Sequence, residues 1–209
     1  MKKLLIPSAL LVAFILWTFA ISTIDVQTIG PMDSSVGFAT VNQFFHNFTG
    51  VNLPLYNLTD ILSIIPLALC LCFGILGLIQ WISRKSLIKV DRDIIALGIF
   101  YVIVMAAFVL FEIFPVNFRP ILIEGALEAS YPSSTTMLVM CVMPTAMIQF
   151  NNRIGNTKLR KIVSAISIAF TVFMVAARLV SGVHWLTDII GGILLSSALV
   201  SLYKTTYKK

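Results

Sequence analysis

Long apolar stretches separated by short polar connections run through the whole chain, and this pattern predicts helices that cross a bilayer. Six stretches approach the roughly twenty apolar residues that a spanning helix needs: about 4–24, 58–81, 94–114, 132–150, 162–180 and 184–203. Barrel strands would alternate apolar and polar positions. These runs do not, so the expected fold is all-α, a six-transmembrane-helix bundle in one integral membrane domain, 1–209. The first stretch has small residues near Thr18-Phe19-Ala20, as a cleaved signal peptide would, but it stays apolar to Ile24 and reads better as an uncleaved span. Between Asp25 and Asn57 the chain turns polar. There Phe38, Val41, Phe44, Phe45 and Phe48 recur at helical spacing and predict an amphipathic helix lying in the interface, in the first outer loop.

Composition sharpens this picture. The 209 residues are 58% hydrophobic and 11% charged, with a mean hydropathy of +0.97, well outside the range of soluble domains. The pI of about 9.4 raises the question of nucleic acid. The basic residues, however, are spread over several loops instead of forming one patch interleaved with aromatics, so no nucleic-acid partner is expected. Cys70, Cys72 and Cys141 all fall in apolar runs and have neither disulfide nor metal-ligand spacing. Asn47-Phe48-Thr49 and Asn57-Leu58-Thr59 are glycosylation sequons only where the source has that machinery.

Charge placement orients the bundle. With both termini cytoplasmic, the inner segments carry Lys2 and Lys3, then Arg84, Lys85, Lys89 and Arg92, then Arg153, Lys158, Arg160 and Lys161, then Lys204, Lys208 and Lys209, which is 13 of the 15 cations. This is the positive-inside distribution. Arg119 and Arg178 are the exceptions, and both map to the outer ends of spans, with Glu112, Glu124, Glu128, His184 and Asp188 on the same side. Ionisable residues at membrane depth are rare and mostly functional, so a polar cluster is expected at the extracytoplasmic face of what reads as a bacterial cell-membrane protein. A channel fits poorly, since no charge lies mid-span.

The densest part of the cluster is Arg178 to Asp188. If that segment is helical, His184 and Asp188 lie one turn apart on one face, where the carboxylate can hold the imidazole. Arg178, across a Ser181-Gly182 break, brings a guanidinium fork suited to phosphate, with a plain Arg178–Asp188 ion pair as the bland alternative. Tyr131-Pro132-Ser133-Ser134-Thr135 opens the fourth span. Its proline suits a first helical turn, and the free N–H groups and hydroxyls of Ser133, Ser134 and Thr135 either cap the helix or, beside Arg119 and Arg178, make an anion cradle.

Arg119-Pro120, Pro132-Ser133 and Arg178 with His184 and Asp188 resemble, in order and spacing, the three-part signature of the type 2 phosphatidic acid phosphatase (PAP2) superfamily of membrane phosphatases. The resemblance implies a metal-independent, cofactor-free lipid phosphatase in which His184 is the nucleophile, forming a phosphohistidine. Asp188 would fix its tautomer, and Arg119, Arg178, Ser133, Ser134 and Thr135 would hold the phosphoryl oxygens. Three positions depart from the pattern: Glu112 stands where the family has Lys, Thr135 where it has the His that protonates the leaving group, and Ala177 where it has Ser. Losing a positioned general acid costs about 100- to 10,000-fold, or roughly 3–5 kcal/mol of barrier. In a lipid diphosphate the leaving group is itself a phosphate, which departs without needing a proton, so a lipid diphosphate such as a polyprenyl diphosphate is the expected substrate ahead of a lipid monophosphate. Glu112, Glu124, Glu128 and His46 are candidate replacement acids, with Glu112 alternatively paired to Arg119 and Glu124 and Glu128 alternatively on a solvated helix. A phosphotransferase using the same histidine, or a lipid-phosphate-binding pseudoenzyme, would carry the same residues.

Overall fold

The computed structural model describes residues 3–206, so Lys2, Lys208 and Lys209 lie outside the described residues. These form eight α-helices joined by turns and isolated bridges: α1 (Leu5–Thr23), α2 (Ala39–Thr49), α3 (Leu53–Leu62), α4 (Ile64–Arg84), α5 (Arg92–Ile113), α6 (Ser134–Arg153), α7 (Thr157–Val180) and α8 (Leu186–Thr206). Among the described residues, five stretches are long and apolar enough to cross a membrane: α1, α3 with α4, α5, α7 and α8.

The twenty-residue α6 falls short of that apolar standard for a physical reason. It packs against α4, α5, α7 and α8 at once, and ten of its residues are buried, among them Thr135, Thr136, Thr145 and Gln149. A helix walled by protein can carry polar groups provided they find partners. Thr145 donates to the Cys141 carbonyl at 2.7 Å, and Gln149 donates to the Tyr203 hydroxyl at 2.8 Å. Gln149 also accepts from Arg153, which pairs with Asp93 at 2.7 Å. These contacts tie α5, α6 and α8 together at the end of the bundle where Arg84, Lys85, Lys89, Lys158 and Lys161 cluster.

At the opposite end three features differ from the sequence expectation. The chain does not enter its second span at Leu58. It first forms α3, opened by Asn52, whose side chain accepts from the Leu55 N–H, and then breaks at Ser63, three residues before Pro66, which lacks the N–H for a continuous helix. The connection between α5 and α6 contains no helix over Glu124 and Glu128. It is a hairpin-like excursion with bridges between Phe118 and Ala129 and between Ile123 and Ala126. Arg119 N–H to Glu128 C=O (3.0 Å) and Ser130 N–H to Asn117 C=O (2.9 Å) hold its arms together. Finally, Pro132 precedes α6 in a cis peptide with Tyr131 and is outside the first turn, because Ser133 is the N-cap.

Tyr131 fixes the entry to α6. Its ring stacks on Phe14 and meets Phe111 edge-on, and its hydroxyl is 2.7 Å from the Thr18 hydroxyl. In α2, Phe44 and Phe48 are 73% and 80% exposed. Buried Asn42 faces the other way, accepting from the Thr187 N–H at 3.2 Å and donating to its hydroxyl at 2.9 Å. The helix is therefore pinned to the start of α8 with its aromatic stripe turned outward.

Candidate active site

Four structural units converge at this end: the last turn of α7, the α7–α8 turn, the hairpin between α5 and α6, and the start of α6. Helix α7 stops at Val180, followed by Ser181 in a helical conformation and Gly182 at φ +68°, a left-handed position that glycine occupies without strain. Gly182 lies so close to Gly50 that a Cβ there would be 1.9 Å from the Gly50 oxygen. Ser181 C=O accepts from the Asn52 N–H at 2.9 Å, so the turn and the start of α3 form one unit.

Helix α3 supplies what surrounds Arg178. The Arg178 Nη1 donates to Thr59 Oγ1 at 3.0 Å and to the Tyr56 carbonyl at 3.4 Å. Its guanidinium carbon stands 4.4 Å from the centre of the Tyr56 ring, and the Arg119 guanidinium lies over the same ring at 5.8 Å. One aromatic side chain thus gathers both arginines. Asp60, 3.8 Å from Arg178, is the carboxylate nearest to it, so the Arg178–Asp188 ion pair does not form. Nor does a Glu112–Arg119 pair, since Glu128 occupies that place, 2.9 Å from Arg119 Nε.

His184 lies in the turn, outside α8, and is 3% exposed. The one-turn helical relation to Asp188 therefore fails, and His184 Nδ1 is 3.9 Å from Asp188 Oδ2, too far for a hydrogen bond. The Ser130 hydroxyl fills the interval, 3.0 Å from His184 Nδ1 and 2.5 Å from Asp188 Oδ2. Asp188 is the third residue of α8, and its carboxylate reaches back to accept the Trp185 N–H at 2.9 Å, as in one half of a capping box. Asn117 donates to its other oxygen at 3.2 Å. Burial, then the positive charges of Arg119 and Arg178, hold the His184 imidazole well below its usual pKa of 6.5. The ring is therefore neutral at physiological pH, with both guanidiniums near enough to act on it.

Ser133 has no solvent exposure. Its N–H is not free, as the sequence suggested, but donates to the Asp188 carbonyl at 3.1 Å, locking the start of α6 to α8. Its hydroxyl has no partner, and neither do Thr136 Oγ1, Arg119 Nη1, Arg178 Nε and His184 Nε2. Ser134 lines two adjoining cavities. One, of about 240 Å³, is bordered by Glu112, Arg119, Glu128 and Ser130. The other, of about 350 Å³ and mostly apolar, is also bordered by Thr135 and lies between Leu67, Val104, Met137 and Leu138. Among the candidate acids, Glu112 and Glu128 face the first cavity, Glu124 sits on the hairpin tip away from both, and His46 lies against the Trp185 ring at 5.5 Å.

The sequence reading missed Ser130, Asn117, Tyr56 and Thr59. Ser130 sits one residue before the Tyr131-Pro132 pair and was within reach of a search for polar residues beside that motif. Tyr56 and Asn117 lie in stretches read as connections between spans, and Thr59 at the start of the expected second span.

The described residues thus form a bundle of apolar helices, as a membrane protein has, with a buried imidazole, two guanidiniums and an unpaired serine hydroxyl gathered at one end. Residues 108–209, which hold Arg119, Ser133, Arg178, His184 and Asp188, match the model of the PAP2 superfamily. No curated protein matches the sequence. Among solved structures, the chain is similar to a transmembrane PAP2-type phosphatidylglycerolphosphate phosphatase from Bacillus subtilis, with a TM-score of 0.69 over 96% of this chain and 95% of that one, at 19% identity. The likeness extends the PAP2 fold over α1 to α4, outside the family match.

Proposed function

We propose that the protein is a membrane lipid phosphatase that removes a phosphate or diphosphate group through His184. The observation that carries this reading is the set of buried polar atoms without partners on Arg119, Ser133, Arg178 and His184. Each such atom costs about 1–3 kcal/mol in a folded protein, and a phosphoryl group would satisfy them together. The apolar cavity that opens beside Ser134 and Thr135 fits the tail of a lipid and supports a lipid substrate over a soluble phosphate ester.

In this reading His184 Nε2 attacks phosphorus. An N–P bond forms as the P–O bond to the leaving group breaks, and water then cleaves the N–P bond to release phosphate. Arg119, Arg178, Ser133 and the N-terminal turn of α6 at Ser134 and Thr135 stabilise the transferring oxygens electrostatically, with no metal. Asp188 supports the imidazole, and Glu112 is an accessory group of the same cavity. Thr135 cannot serve as a general acid, which supports preference for a lipid diphosphate. The helix α6 would cross the membrane as well, the fourth of six spans in chain order, α2 would rest its exposed Phe44 and Phe48 in the interface, and the basic loops would face the cytoplasm with the site opposite, all within one membrane domain.

The test is phosphate release by detergent-purified protein from matched lipid monophosphates and diphosphates, with chelator present and His184→Ala as control. Release that survives chelator, disappears in His184→Ala and favours the diphosphate is the expected result. Trapped phosphohistidine without release would replace hydrolysis by transfer to an acceptor, and binding without turnover of any substrate would overturn the assignment.

A further inference from the structure

We infer that Ser130 is the positioning residue that sets which nitrogen of His184 is free to react, by linking the imidazole to Asp188 in one direction only. The inference deepens the proposed function and rests on it for its kinetic arm. Every other partner of Asp188 is an obligate donor: the Trp185 backbone N–H at 2.9 Å and the Asn117 side-chain amide at 3.2 Å. A carboxylate accepts hydrogen bonds and donates none, so the Ser130 hydroxyl, 2.5 Å from Asp188 Oδ2, gives its single hydrogen to Asp188. What Ser130 then offers His184 Nδ1, 3.0 Å away, is an oxygen lone pair. Nδ1 must carry the ring proton to use it. Nε2 is left bare, and Nε2 is the ring nitrogen that has no partner in the buried site.

Direct bracing by Asp188 is excluded at 3.9 Å. All three groups are enclosed, with Ser130 2%, His184 3% and Asp188 0% exposed, so no bulk water competes for the link. The hairpin holds Ser130 in place from the backbone, because its N–H donates to the Asn117 carbonyl at 2.9 Å. Asn117 therefore bonds Asp188 with its side chain and Ser130 with its main chain. When Nε2 forms its bond to phosphorus the ring becomes cationic, and the same hydroxyl passes the stabilisation by Asp188 to Nδ1–H with no proton leaving the ring.

The experiment uses the full chain labelled with ¹⁵N-histidine. The sequence has two histidines, and the spectrum of His46→Gln assigns them. The wild-type protein should show His184 protonated at Nδ1 and bare at Nε2. Ser130→Ala should populate both tautomers and lower kcat about 10- to 100-fold with KM changed less than about threefold, the loss expected when the group that orients a histidine is removed. Ser130→Thr, which keeps the hydroxyl, should restore the Nδ1–H form and most of kcat. A bare Nδ1 in the wild type, or an unchanged tautomer in Ser130→Ala, would overturn the inference. A correct tautomer pattern in a protein that turns over no lipid phosphate would leave the Ser130 link standing and remove the phosphatase reading alone.

Discussion

Replacing Gly182 with alanine should reach the site through a contact that involves no reacting group. Two costs add. At φ +68° an L-residue is disfavoured by about 1 kcal/mol relative to glycine. The added Cβ would also stand 1.9 Å from the Gly50 oxygen and 2.9 Å from its carbonyl carbon, whereas carbon–oxygen contacts settle near 3.3 Å or beyond, so one segment must retreat by more than about 1 Å. Both atoms met are backbone, so no side-chain rotation relieves the clash. If the turn moves, it carries His184. If Gly50 and Val51 move, they carry α3, whose Thr59 and Tyr56 hold Arg178. Either way the imidazole and the guanidinium lose register, and a 1 Å error in such an arrangement costs about 100-fold in rate. The stability loss should be about 2–4 kcal/mol, adding overpacking to strain. The assay pairs thermal unfolding in detergent with phosphate release, using Gly125→Ala as control, since Gly125 also has positive φ (+81°) but open space around it. Gly125→Ala should lose about 1 kcal/mol and little activity. Equal effects of the two substitutions on activity would refute the argument from contact.

Other outcomes follow from the same geometry. Because burial and the two arginine charges hold His184 below its usual pKa, the acid limb of kcat/KM for the free enzyme should lie below pH 6.5, and Arg119→Met should move it upward even as overall activity falls; a fixed limb would remove Arg119 from the field at His184. The unfolded chain takes up a proton near pH 6.5 that the folded protein refuses. Stability from this group is therefore complete above that pH and lost as pH falls toward the folded value, so melting temperature should drop on acidification less steeply in His184→Gln than in wild type. Thr135→His, placed in the first turn of α6 on the wall of the apolar cavity, should raise turnover of a lipid monophosphate at least about tenfold and change the diphosphate far less; equal gains on both would count against the leaving-group argument. Asp60→Asn should alter KM less than about threefold, because the carboxylate is 61% exposed at 3.8 Å from Arg178 and such pairs contribute little.

Most helices were legible because hydrocarbon burial leaves a coarse signature, a run of apolar residues about as long as the membrane is thick. The same signature misplaced the start of the second span, where the second half of α3 and most of α4 read as one hydrophobic stretch, 58–81, although Ser63 and Pro66 divide them. Hydropathy says how much surface meets lipid and little about where a helix bends. The hairpin was hidden for a related reason. Its arms are joined through the backbone of Asn117, Arg119, Glu128 and Ser130, and main-chain pairing leaves weak marks on side-chain pattern.

At the site, the charged residues were visible as exceptions to rules: two arginines that defy the charge bias, and a histidine and aspartate inside an apolar run. Which of them touch was not visible. The spacing of His184 and Asp188 invites a helical reading, yet the turn at Gly182 delays α8 until Leu186. Asp188 then becomes a third-position cap whose carboxylate faces the Trp185 N–H, and the imidazole is left to a serine some fifty residues earlier. A local motif can name the parts of a buried polar network, because each part is expensive to keep in an apolar chain. The order in which they join depends on the turn that brings distant segments together, and here one residue without a side chain sets that turn.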